Sequence, residues 1–238
     1  MRTNQDIAKI RLVLPAAMAF IFMFSIPVVG ADRHIYLDAS AKDGGSGAQD
    51  SPYNEFSDLN WTTITDWVNS GDSVFINLKR GEVWREKLTV GASGVPGRPV
   101  TIQAYGTGDK PIINGSHNYT APSYRWTQSS TSNEYYLESS VGTNPGIDEP
   151  SSLWVDAIAY QRGILGSLTK NQWAWGDNDF LGYSTIYLFA TSNPVVLGVK
   201  IEGSQIPQCV DISNKDYIIL RDLELRQNGQ KSQGSYVY

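Results

Sequence analysis

The chain has 238 residues, 41% hydrophobic and 18% charged, a globular balance that excludes a disordered polymer. Its formal charge is −5, and Arg2, Lys9 and Arg11 all fall in the leader, so the remainder is more acidic still and no basic stripe survives to hold nucleic acid. The single cysteine, Cys209, excludes an intrachain disulfide; it sits in an apolar run and reads as a small buried side chain.

The leader comes first. A basic start (Arg2, Lys9, Arg11) precedes an uncharged apolar stretch from Leu12 to Val29, broken near its end by Pro27. Val29-Gly30-Ala31 then sets small residues before Asp32, so residues 1–31 read as a signal peptide cut between Ala31 and Asp32. The rival is an uncleaved anchor, since about 18 apolar residues can span a bilayer. Cleavage predicts a secreted or periplasmic protein with no membrane attachment.

The sequence after the leader is rich in strand and turn residues. His34-Ile-Tyr-Leu37 alternates as a short strand and runs into a Gly/Ser/Asp turn region. Asp43 and Asp50 in that region are a candidate calcium pair, because hard cations take several oxygens, although the spacing is not that of an EF-hand. Gly44-Gly-Ser-Gly47 lacks the lysine of a phosphate-binding loop and reads as a flexible turn. From Asn54 to Asn69 the apolar spacing is loosely helical and predicts one or two short helices stopped near Gly71. Extended segments follow at Asp72–Leu78, Val83–Val90, Pro99–Tyr105 and Pro111–Asn114, separated by glycine-rich turns.

Residues 117 to about 198 read as an insertion of antiparallel hairpins. Its strands are predicted at Glu134–Leu137, Ser152–Val155, Ala157–Tyr160 and Thr185–Phe189, with Asp156 at a tight turn. Trp173 and Trp175 fall on one side if their segment is a strand, either as a stacking platform for sugar rings or as insertion core. From Val199 the earlier style resumes, with segments at Val199–Ile201, Val210–Ile212, Tyr217–Leu220, Leu223–Leu225 and Tyr236–Tyr238. The spacing between Val210 and Tyr236 suits one coil of a solenoid, in which each turn needs the next to cover its apolar side chains.

Four runs carry a resemblance: Gly71-Asp-Ser-Val-Phe-Ile76; Arg80-Gly-Glu-Val-Trp-Arg-Glu-Lys-Leu-Thr-Val90; Gly97-Arg-Pro-Val-Thr-Ile-Gln-Ala-Tyr-Gly106; and Lys110-Pro-Ile-Ile-Asn-Gly-Ser116. Together with Asp216-Tyr-Ile-Ile-Leu-Arg-Asp-Leu-Glu-Leu-Arg226, they resemble the opening coils of bacterial right-handed parallel β-helix proteins of the pectin-lyase-like superfamily. The resemblance implies an all-β fold: signal peptide 1–31, N-terminal cap with a short helix and first coils 32–116, β-hairpin insertion 117–198, and further coils 199–238. Members usually continue for many coils. This chain stops at Tyr238 within an apolar coil pattern, so an N-terminal fragment whose open coil invites self-association is expected.

Function is less sharply marked, because one β-helix serves many chemistries. The resemblance implies an exported, polysaccharide-associated protein, the N-terminal part of a carbohydrate-active enzyme such as a polysaccharide lyase, with extracellular polysaccharide as partner. The alternatives are a non-catalytic glycan-binding or adhesin-like surface protein, or an inactive remnant. Lyases need a base near the C5 proton and a cation beside the uronate. No catalytic residue is assigned by position, and the chain alone is expected to be inactive. Arg85 and Glu86 put a cation and a carboxylate together on an early coil and are candidate sugar contacts; a solvated salt bridge is the plainer reading. Arg221, Asp222, Glu224 and Arg226 alternate with leucines as the outward side of a half-buried strand. His34 and His117 are too far apart in sequence, and too bare of flanking ligands, to argue for zinc or a catalytic triad.

Overall fold

The computed structural model describes residues 30–229. The leader expected to be a signal peptide, up to Val29, and the strand expected at Tyr236–Tyr238 therefore lie outside the described residues. Strand β1 (Asp32–Leu37) is followed by a 3-10 turn at Phe56–Asp58 and helix α1 (Trp61–Asn69). Next come β2 (Ser73–Lys79), β3 (Val83–Trp84), β4 (Leu88–Thr89), β5 (Val100–Tyr105) and β6 (Ile112–Asn114). A second group comprises β7 (Ser116–Asn118), β8 (Tyr124–Gln128), β9 (Glu134–Ser139), β10 (Leu153–Val155), β11 (Ile158–Arg162), β12 (Gln172–Gly176), β13 (Thr185–Phe189) and β14 (Ile201–Ser204). The last three are β15 (Val210–Asp211), β16 (Ile218–Arg221) and β17 (Glu224–Arg226).

The first and last groups pair only with each other, and always in parallel. One sheet has the order β1-β2-β5-β16, a second β3-β6-β17, and β4 pairs with β15. Parallel neighbours cannot be joined by a tight hairpin, so the chain travels round through the other ladders before it returns. Register stacks like on like: Ile35, Ile76, Ile102 and Leu220 form one row, and Leu37 lies beside Leu78. Trp84, Ile113 and Leu225 form a row on the second sheet, and Leu88 meets Val210 on the third ladder. The alternation of β2 and β5 sends Val74, Ile76, Leu78, Val100 and Ile102 inward, all buried in one core. Each such side chain stabilises by about 1.5–3 kcal/mol when removed from water.

Helix α1 covers this core with Ile64 and Val68. It starts at Asn60, whose side-chain oxygen accepts the Thr63 N–H at 3.0 Å, the usual way to satisfy an orphan donor of the first turn. It is the one α-helix among the described residues, and no described helix is long and apolar enough to cross a membrane.

The second group forms an eight-stranded sheet, β7-β14-β10-β11-β12-β13-β9-β8, antiparallel except where β11 meets β12. Its own core holds Tyr119, Trp126, Leu137, Leu153, Trp173, Ile186, Leu188 and Ile201. Asp156 and Ala157 link β10 to β11 with φ of 47° and 65°, the left-handed pair that a two-residue hairpin needs. This sheet runs from Ser116 to Ser204, wider than the 117–198 expected. The stretch Val199–Ile201, expected among the coils, leads into β14, which pairs with β7 and β10. Its alternation fits either sheet; only the partners decide. Both ends of the sheet's chain meet at one point, where the Gly115 carbonyl accepts the N–H groups of Gln205 at 3.0 Å and Ile206 at 2.9 Å.

Candidate functional site

A cleft of about 550 Å³ lies where the outward side of the β3-β6-β17 sheet faces the hairpin of β10 and β11 and strand β14. One wall carries Val83, Arg85, Ile112, Asn114, Arg226 and Gln227; the other carries Trp154, Asp156, Lys200 and Glu202. Strand β10 explains the tryptophan. Leu153 and Val155 point into the core of their sheet, so the intervening Trp154 is turned outward and is half-buried in the cleft wall. Glu202 stands directly across from it on β14.

The floor is a connected polar network. Glu202 is only 5% exposed. Its Oε1 receives the Arg85 guanidinium and, at 3.0 Å, the Lys200 Nζ. Arg85 also donates to the Ser116 carbonyl at 3.1 Å and to the Ser116 Oγ at 2.7 Å. Ser116 Oγ and Asn114 Nδ2 in turn reach Gln227 Oε1, at 3.1 and 2.8 Å. Burial raises the Glu202 pKa, but Lys200 and Arg85 together outweigh it and hold the carboxyl below its ordinary value. Glu202 is thus an ionised acceptor and no proton donor. Asp156 Oδ1 accepts the Lys200 N–H at 2.8 Å, which fixes the hairpin against the start of β14. Arg226 is held by Glu224 through Nε at 2.5 Å and a terminal nitrogen at 2.9 Å.

Arg85 and Glu86 therefore turn to different partners rather than to each other. Glu86 faces a shallower recess of about 320 Å³ with Asn54, Glu55 and Trp84, and its Oε1 accepts the Phe56 N–H at 3.1 Å. Burial pushes the Glu86 carboxyl up; the Phe56 bond opposes this, and the charges of Glu55 and Asp58 add to it.

The other expected positions fare differently. Trp173 and Trp175 do share a side, but it is the inner one. Trp173 is 1% exposed, with Arg162 over its ring at 4.6 Å, and Trp175 packs against the same core. They are sheet core, and no stacking platform exists there. Asp43 accepts a bond from Asn54 Nδ2 at 2.8 Å, and no group of three His, Cys, Asp or Glu residues suited to a metal occurs among the described residues. Asp43 and Asp50 both lie in the turn region between β1 and the 3-10 turn. Ala31 and Asp32 lie at the start of β1, where the Ala31 N–H donates to Asp72 Oδ1 at 2.8 Å. Cys209 is buried, and burial pushes its thiol up. Trp154, Lys200, Glu202 and Gln227 were not singled out as site residues by the sequence; the one local signal is the Leu153-Trp154-Val155 alternation.

No family model matches the chain, and no curated protein matches it. Two solved structures share its fold. One is the complex of XylC with xylose, 16% identical, with a TM-score of 0.54 over 81% of this chain and 35% of that one. The other is a glycoside hydrolase, 10% identical, with a TM-score of 0.56 over 84% of this chain and 51% of that one. The chain thus spans about a third of the first and half of the second, and the likeness is one of fold.

Proposed function

We propose that this chain is the glycan-binding N-terminal part of an exported carbohydrate-active protein. The three parallel ladders are read as the faces of a right-handed parallel β-helix, with neighbouring strands in each ladder as successive turns, and the sheet of residues 116–204 as an insertion that forms one wall of the binding cleft. The observation that carries the reading is the cleft itself. An outward-facing tryptophan opposes amides and paired charges across a groove of about 550 Å³, in a fold shared with XylC bound to xylose and with a glycoside hydrolase. A sugar ring offers an apolar face for Trp154 and a rim of hydroxyls for Asn114, Gln227, Asp156 and the Arg85–Glu202 pair.

The cleft is assigned to binding, not bond cleavage. Hydrolysis by the usual route needs one carboxyl that keeps its proton and a second that does not. Of the two carboxylates in the cleft wall, Glu202 is bound by Lys200 and Arg85, which hold it below its ordinary value, and Asp156 is engaged by the Lys200 N–H. Export follows from the leader, and mass spectrometry of the mature N-terminus checks it: the expected first residue is Asp32, and a peptide beginning at Met1 refutes cleavage. For the cleft, calorimetric titration with soluble oligosaccharides is the test. Trp154→Ala is expected to weaken binding roughly five- to tenfold, the worth of one stacking contact. A variant that binds as well as the parent, or a parent that binds no glycan, defeats the proposal.

A further inference from the structure

We infer that the cleft selects a neutral glycan over a uronate polymer. This rests on the reading of the cleft as a glycan site and narrows it to a substrate class. The family resemblance implied acidic polysaccharides, whose recognition needs a cation free to meet the sugar carboxylate. The cleft has three cations, and the chain's own carboxylates occupy all of them. Arg85 and Lys200 converge on Glu202, the latter at 3.0 Å, and Arg226 is chelated by Glu224 at 2.5 and 2.9 Å. Asp156 adds another carboxylate to the same wall. A uronate entering here competes with Glu202 and Glu224 for these cations and lies beside the Glu202 and Asp156 carboxylates, which lowers its affinity relative to a neutral sugar.

A neutral sugar meets no such conflict. Its hydroxyls donate to the carboxylate and amide oxygens and accept from the amide and guanidinium N–H groups, and the pairs stay intact. Glu202 cannot easily be displaced, because it is buried and bonded from three sides, by Arg85, Lys200 and Gln227.

The experiment titrates the full chain with a neutral xylo-oligosaccharide and with an oligogalacturonate of equal length, each at low and high salt. The expected result is binding of the neutral oligomer about tenfold or more tighter, with little salt dependence. Tighter, salt-sensitive binding of the oligogalacturonate overturns the inference and leaves the glycan cleft standing. Binding of neither oligomer removes both. Two variants run the argument in reverse. Glu202→Gln releases Arg85 and Lys200, and the exposed Glu224→Gln releases Arg226; each is expected to gain several-fold in oligogalacturonate affinity, in a salt-sensitive way. No gain in a Glu224→Gln protein with an unchanged circular dichroism spectrum counts against the inference.

Discussion

Glu86 and Glu202 flank the same arginine, the first half-buried and the second buried, yet their charges are driven in opposite directions. Glu202 has two cations at bonding distance, and its folded pKa lies below the ordinary 4.5. Its contribution to stability is therefore present above pH 4.5 and is lost as pH falls through the folded value. Glu86 has no cation partner, only the Phe56 N–H and two neighbouring acids, and its folded pKa lies above 4.5. Its ionisation costs stability as pH rises from 4.5 through the folded value. Glu86→Gln is accordingly expected to raise the melting temperature at pH 7 and leave it unchanged at pH 3, where both side chains are neutral. Equal effects at the two pH values would assign the change to packing instead. Arg85→Met tests the other carboxyl. Removing one partner of a buried pair costs about 3–5 kcal/mol. Arg85 is partly exposed and Lys200 remains, so about 1–3 kcal/mol is expected at pH 7, shrinking in acid as Glu202 takes up its proton.

Among the elements, the sharpest test falls where consecutive parallel strands turn. A Cβ on Gly94 would lie 2.6 Å from the Tyr217 carbonyl oxygen and 2.7 Å from the Pro99 Cα, with backbone on both sides. Gly94→Ala must push the entry to β5 away from β16, at a cost of about 1–3 kcal/mol, read as a lower urea midpoint with an unchanged slope. Such strands were legible in the sequence. Asp72–Leu78, Pro99–Tyr105 and Tyr217–Leu220 carry β-branched runs between turn residues, and all three are strands. Ser116–Asn118 was not legible, because its polar residues show no apolar alternation and its extension comes from the partner β14; Tyr124–Gln128 does alternate, with Tyr124 and Trp126 toward the core, but over too few residues to stand out before β9 pairs with it. Period two put Trp173 and Trp175 on one side correctly, but which side faces the core depends on where β13 lies. The cleft was hidden for the same reason. Arg85 and Glu202 are 117 positions apart and meet only because β7 and β14 bring Ser116 and Glu202 up to the end of β6.

At the scale of the molecule, the two largest cores share one neck. The parallel ladders bury their aliphatic rows around Ile76 and Ile102, and the antiparallel sheet buries its own around Leu137 and Trp173. The chain leaves the first at Gly115 and returns at Gln205, and the Gly115 carbonyl bonds the N–H groups of both Gln205 and Ile206. Excising residues 116–204 and joining Gly115 to Gln205 through one glycine therefore leaves the route of the ladders nearly undisturbed. Arg85 then loses Glu202 but gains water, so no buried charge is stranded. The shortened chain is expected to fold cooperatively, with hydrogen-exchange protection retained in β2 and β5. It is also expected to lose glycan binding, because Trp154, Asp156, Lys200 and Glu202 leave with the excised sheet. If it binds oligosaccharide as the parent does, the site lies on the ladders alone. If β2 and β5 exchange freely, the first core depends on the second, and the two form a single folding unit joined by the Arg85–Glu202 network.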